Sequence, residues 1–80
     1  MTLRQVKPGY QCKISAIGGR GALRRRLLDM GLTPQTLVYV RKAAPMGDPI
    51  EIALRSYELT LRRSEADEIT VTEVAPCPSR

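Results

Sequence analysis

The stretch Ala44-Pro45-Met46-Gly47-Asp48-Pro49-Ile50 constrains this chain more than any other. Proline has no N–H for a sheet ladder and its ring fixes φ, so Pro45 and Pro49, with Gly47 between them, cannot lie in a central strand. Asp48 before Pro49 adds a turn signal. Residues 43–49 therefore read as a loop with a strand on either side. Before it, over 36–42, Leu37, Tyr39 and Arg41 share one face and Val38 and Val40 the other. Such apolar content suits a strand covered on both sides for part of its length. After the loop, Ile50, Ile52 and Leu54 alternate with Glu51, Ala53 and Arg55. Past Ser56, Tyr57, Leu59 and Leu61 alternate with Glu58, Thr60 and Arg62. The link between these two runs is so short that they must bend sharply or pair tightly.

Upstream, a lead-in over 2–7 ends at the turn dipeptide Pro8-Gly9. Tyr10, Cys12, Ile14 and Ala16 then alternate with Gln11, Lys13 and Ser15, the period of a half-buried strand over 10–17. Gly18-Gly19-Arg20-Gly21 stops it. This loop has neither the Lys-Ser/Thr of a P-loop nor a complete GxGxxG, so it reads as a flexible connection and not as a phosphate cradle. Over 22–30, Leu23, Leu27 and Met30 form one helical stripe with Arg24 and Arg25 turned away, and Gly31 stands where a left-handed C-cap favours glycine. Leu28 lies off the stripe and is either a second buried contact or an apolar spot for a partner. Ser64 reads as the N-cap of a short helix over 64–68, with Asp67 completing a weak capping box. The β-branched run over 69–74 closes the sheet. Residues 1–75 form one domain and residues 76–80 a disordered tail.

The order is strand, helix, three strands, short helix, strand. Short twisted strands with little core volume fit a small, mainly β closed barrel, with the two helices capping its ends. At 80 residues the core is small, since a domain of this size buries only a little over ~60% of its unfolded surface. That disfavours a deep, dehydrated catalytic cleft.

Thirteen Lys plus Arg against eight Asp plus Glu give a net charge of +5. A basic domain is drawn to nucleic acid, to an anionic membrane face or to an acidic protein surface. The Arg24-Arg25-Arg26 run has no interleaved aromatic for base stacking and reads as a solvated helix face, so no nucleic acid is expected as a partner. No apolar run approaches the ~18 residues of a membrane span, and the N-terminal MTLRQVKPG lacks the apolar core of a signal peptide, so the chain is expected to be non-spanning and cytoplasmic. Cys12 and Cys77 make neither a CxxC pair nor a disulfide framework.

The sequence holds no histidine, which removes the commonest general base and the commonest transition-metal ligand. Glu51 and Glu58 fall on outward strand positions, Asp48 belongs to a turn, and Glu65, Asp67 and Glu68 suit the first turn of a helix. No catalytic residue, no cofactor and no metal site is expected, and the chain is not read as an enzyme.

Three segments at their separations resemble the FeoA family, small proteins of ferrous iron transport. They are Leu23-Arg24-Arg25-Arg26-Leu27-Leu28-Asp29-Met30-Gly31-Leu32-Thr33-Pro34, then Arg41-Lys42-Ala43-Ala44-Pro45-Met46-Gly47-Asp48-Pro49-Ile50-Glu51-Ile52, and finally Tyr57-Glu58-Leu59-Thr60-Leu61-Arg62 with Glu65-Ala66-Asp67-Glu68-Ile69. The likeness runs over about residues 3–74. It implies an SH3-like five-stranded barrel with two short helices. It also implies a non-catalytic cytoplasmic accessory that docks on the FeoB-type ferrous iron permease, at its cytoplasmic G domain or membrane-proximal region. The residues expected to dock are Leu28, Arg41, Met46, Asp48 and Arg55; against this, residues 45–49 could serve only to build the turn. The alternatives are a transition-metal-binding or metal-sensing module, as in the C-terminal domains of iron-dependent repressors, and a basic nucleic-acid-binding small barrel. An exposed strand edge leaves homo-oligomerisation open. Gln35 and Ser56 stand where the family often has glycine, which implies turns without positive φ or turns that tolerate mild strain.

Overall fold

The structure, a computed structural model, describes residues 1–46 and 48–77. The expected turn role of Gly47 and the expected disorder over 78–80 lie outside the described residues. Five strands and two short helices follow in the predicted order: β1 Tyr10–Ile17, α1 Gly21–Asp29, β2 Leu37–Ala43, β3 Ile50–Ala53, β4 Glu58–Leu61, α2 Arg63–Ala66 and β5 Ile69–Pro76. The strands form one antiparallel sheet in the order β4-β3-β2-β1-β5. The expected SH3-like five-stranded barrel with two short helices is present, and among the described residues no ladder joins β4 to β5, which are its edges. The β5 edge is covered by the N-terminus, where Thr2 bridges Thr70 and the Val71 N–H donates to the Met1 carbonyl at 2.8 Å. The β4 edge is short, at four residues, which limits the unpaired backbone it presents.

The core is wholly apolar. Cys12, Ile14 and Ile17 of β1, Val38 and Val40 of β2, Ile50 and Ile52 of β3, Leu61 of β4 and Ile69 and Val71 of β5 meet Leu27 of α1 and Ala66 of α2. Leu3 and Val6 join them from a 3-10 turn over Leu3–Gln5, in a stretch that the sequence presents only as a lead-in. The alternation of β1 fails at its end: Ala16 is exposed and Ile17 is buried. A register shift against β5 between Ile14 and Ala16 is the cause, since one extra residue at a bulge flips every side chain after it.

Helix α1 ends in a Schellman motif. The Leu32 N–H donates to the Leu27 carbonyl at 3.2 Å and the Gly31 N–H to the Leu28 carbonyl at 3.0 Å, with Gly31 at φ +94°. Leu27 and Leu32, at the two positions whose apolar side chains accompany this cap, are both fully buried in the core. Tyr57, in the β3–β4 link, donates its hydroxyl to the Met30 carbonyl and fastens that link over the helix end. The two turn positions resolve differently. Gln35 takes φ +79°, the strained option, whereas Ser56 takes no positive φ.

Most element boundaries lie one or two residues from expectation, and two of the differences have a visible cause. Helix α2 starts at Arg63 with Arg62, not Ser64, at the N-cap, because the Glu65 carboxylate turns back to accept the Arg62 N–H at 2.9 Å. Residue 76, expected in a disordered tail, lies in β5: Pro76 pairs with Tyr10, and the Cys77 N–H donates to the Gly9 carbonyl at 2.8 Å.

Candidate functional site

The proline-rich loop is built against the start of α2. The Ala44 N–H donates to the Pro49 carbonyl at 3.0 Å and closes the loop's neck. The peptide between Asp48 and Pro49 is cis. Asp48 Oδ1 accepts the Arg63 N–H at 3.0 Å, satisfying one of the orphan donors at the helix start. Arg63 Nη1 in turn donates to the Met46 carbonyl at 3.3 Å. These two bonds pin the loop while Met46 stays 79% exposed, the most exposed large apolar side chain described.

Beside the loop lies a cleft of about 400 Å³ lined by Arg4, Asp48, Arg62, Arg63, Ser64 and Asp67. Asp67 accepts from Thr2 Oγ1 at 3.3 Å through one oxygen and pairs with Arg4 at 3.8 Å through the other. Behind the cleft, Glu65 is paired with Arg26 and ties α2 to α1.

A second, larger hollow of about 580 Å³ is lined by Gly9, Tyr39, Val40, Arg41, Ala53, Leu54 and Cys77. Arg41 pairs there with Glu58 at 3.5 Å. Neither thiol is disulfide-bonded. Cys12 is fully buried, and burial, with a smaller effect from nearby Cys77, pushes its thiol up from 9.0 to about 11. A thiol held protonated is a poor metal ligand and a poor nucleophile. Among the described residues no three of His, Cys, Asp and Glu come together in a way that could hold a metal ion.

Of the residues expected to dock, Met46 and Asp48 are both tied to Arg63 at the start of α2. Arg55 follows β3 at its far end, about 15 Å away at ~3.3 Å of rise per residue. Arg41 lines the larger hollow, and Leu28 is half-buried, packed against the core. Sequence reasoning missed Arg4, Arg62 and Arg63. The signal was present for two of them: an Arg62-Arg63 pair opening a helix faces the positive end of its dipole, so those residues need acidic or carbonyl partners.

No described helix is long and apolar enough to cross a membrane. Residues 1–73 match the family model of the FeoA domain. A Porphyromonas gingivalis protein described as an Fe(2+) transport protein A/Fe(2+) transporter FeoB fusion is 35% identical over 71 residues, and the match spans 89% of this chain but only 8% of that protein. The solution structure of a FeoA protein from Chlorobium tepidum is 41% identical, with a TM-score of 0.81, covering 89% of this chain and 68% of that one. A zinc-complexed FeoA from Stenotrophomonas maltophilia, described as a prokaryotic SH3 domain protein, superposes with a TM-score of 0.85 over 95% of this chain and 96% of that one. At 22% identity it bears on the fold alone, and it makes this mainly β fold SH3-like. With the family model covering all but its last residues, the chain belongs to the FeoA domain family of ferrous iron transport.

Proposed function

We propose that this chain is a non-catalytic accessory of ferrous iron uptake that docks, from the cytoplasm, on a FeoB-type permease. The observation that carries this reading is the relative in which such a domain and the transporter FeoB are one polypeptide. Covalent fusion holds two modules at an effective concentration of about millimolar for a short linker. A separate chain must reach the same state by surface recognition. A small barrel on which Met46 and Asp48 are tied to the start of α2 is suited to that task, because residues already held in place lose little entropy on binding. The absence of histidine and the protonated state of Cys12 both favour surface recognition over chemistry.

The test is ferrous iron uptake in cells that keep the permease and lack this chain. Uptake is expected to fall and to recover when the chain is resupplied. Unchanged uptake with the permease present would overturn the reading.

A further inference from the structure

We infer that the α2 end, where Met46 stands beside Arg4, Arg62 and Arg63, receives an acidic segment of a partner protein that carries a large apolar side chain next to its carboxylates. This rests on the docking reading above and adds which surface docks and what it recognises.

Three guanidinium groups line one cleft against two carboxylates. Both acids are already engaged: Asp48 holds the Arg63 backbone, and Asp67 holds Thr2 and Arg4. Each guanidinium has five N–H donors in a rigid fork. Arg63 uses one on the Met46 carbonyl, and Arg62 makes no ion pair or side-chain hydrogen bond among the described residues. The cleft therefore keeps a surplus of donors and of positive charge in the geometry that binds carboxylates in pairs. The two acids in the same cleft disfavour a doubly charged phosphate held at one point more than carboxylates spaced along a peptide, each of which can meet one guanidinium, and no aromatic side chain lines the cleft to stack a base. A protein acid is therefore the better match than a nucleotide or a nucleic acid.

Met46 supplies the second half of the recognition. An unbranched thioether side chain adapts to apolar surfaces of varied shape. It projects from a loop whose backbone is tied to Arg63, the same residue that lines the cleft. A ligand that paired only with the arginines would leave this side chain in water, so an apolar group next to the acids completes the fit.

The experiment uses the full chain and three variants: Arg62→Gln, Met46→Ser, and Arg25→Gln on the exposed face of α1 as a control that removes the same charge elsewhere. Thermal melts first establish that all are folded; exposure at all three positions means melting points should stay within a few degrees. Fluorescence anisotropy then measures binding of a labelled peptide of alternating Glu and Leu, of its Gln-for-Glu and Ala-for-Leu counterparts, and of vesicles containing phosphatidylglycerol. Saturable binding of the Glu/Leu peptide is expected, weakened about tenfold by Arg62→Gln, by Met46→Ser and by either change to the peptide. Arg25→Gln should change it less than twofold. A loss by Arg25→Gln equal to that by Arg62→Gln, with Met46→Ser unchanged, would mean only general charge attraction and would overturn the inference. So would preferential binding of the vesicles, or no binding of the Glu/Leu peptide. The same variants are tested against the cytoplasmic part of a FeoB-type permease. Binding by the wild-type chain that Arg62→Gln and Met46→Ser leave intact refutes this surface and keeps the accessory reading. Peptide binding without permease binding supports the surface and refutes the accessory reading.

Discussion

Replacing Gly31 by alanine should be among the most damaging small changes in this chain. Gly31 has φ +94°, where a Cβ crowds the backbone and an L-residue is strained by about 1–2 kcal/mol. The new Cβ would also stand well inside van der Waals contact with the Tyr57 hydroxyl. Tyr57 is 45% exposed, so its ring can swing out, but it then gives up its bond to the Met30 carbonyl, a net loss of about 0.5–1.5 kcal/mol. Together these give about 2–3 kcal/mol. At 4–8 °C per kcal/mol for a domain of this size, the melting temperature should fall by roughly 10–20 °C. The double-mutant cycle with Tyr57→Phe isolates the mechanism. Tyr57→Phe alone loses the bond, and it also removes the atom that the alanine would strike. The double variant should therefore be less destabilised than the sum of the singles by about 1 kcal/mol. Urea unfolding of the four proteins reads this directly. Strict additivity, or a Gly31→Ala loss below about 0.5 kcal/mol, would refute the strap between the β3–β4 link and the end of α1.

Gln35→Gly should raise stability by about 0.5–1 kcal/mol, because glycine relieves the strain at φ +79°; a thermal melt that falls instead would contradict the strained turn. Glu65→Gln keeps an acceptor for the Arg62 N–H but loses the charge that pairs with Arg26, so it should lower stability by about 1–2 kcal/mol, read by urea unfolding. Cys12 gives a pH signature. Below pH 9 its thiol is neutral in both the folded and the unfolded chain; between 9 and about 11 only the unfolded chain ionises, so stability falls as pH rises and the loss levels off above 11. The loss is at most about 3 kcal/mol, and it should vanish from the pH dependence of a Cys12→Ala variant measured in parallel.

Much of the fold was legible because it depends on local rules. The prolines at 45 and 49 marked the loop, the alternating runs marked β1 to β4, the β-branched run marked β5, and Gly31 marked the end of α1. What was not legible depends on contacts distant in sequence or on segments too short for a period. The 3-10 turn over Leu3–Gln5 is three residues long and carries no periodicity, yet it delivers Leu3 to the core. The bulge that buries Ile17 in place of Ala16 arises where β1 meets β5, some fifty residues away. Ser64 is a better N-cap than Arg62 by type, but Asp48 takes the Arg63 N–H from the loop and Glu65, within the helix, turns back to take the Arg62 N–H. The same nonlocality hid half of the candidate site. Met46 and Asp48 could be named from an exposed turn, whereas Arg62 and Arg63 belong to it only because β3 and β4 run out and back and return the chain to the loop.

The central claim is that this chain acts by binding a FeoB-type permease. The direct test is to immobilise the cytoplasmic part of such a permease and to titrate it with the purified chain, with and without ferrous ion under anaerobic conditions. Saturable binding that does not depend on the added metal is the expected result. No binding to the permease, together with saturable binding of ferrous ion by the chain alone, would contradict the account and make the chain a metal-binding module.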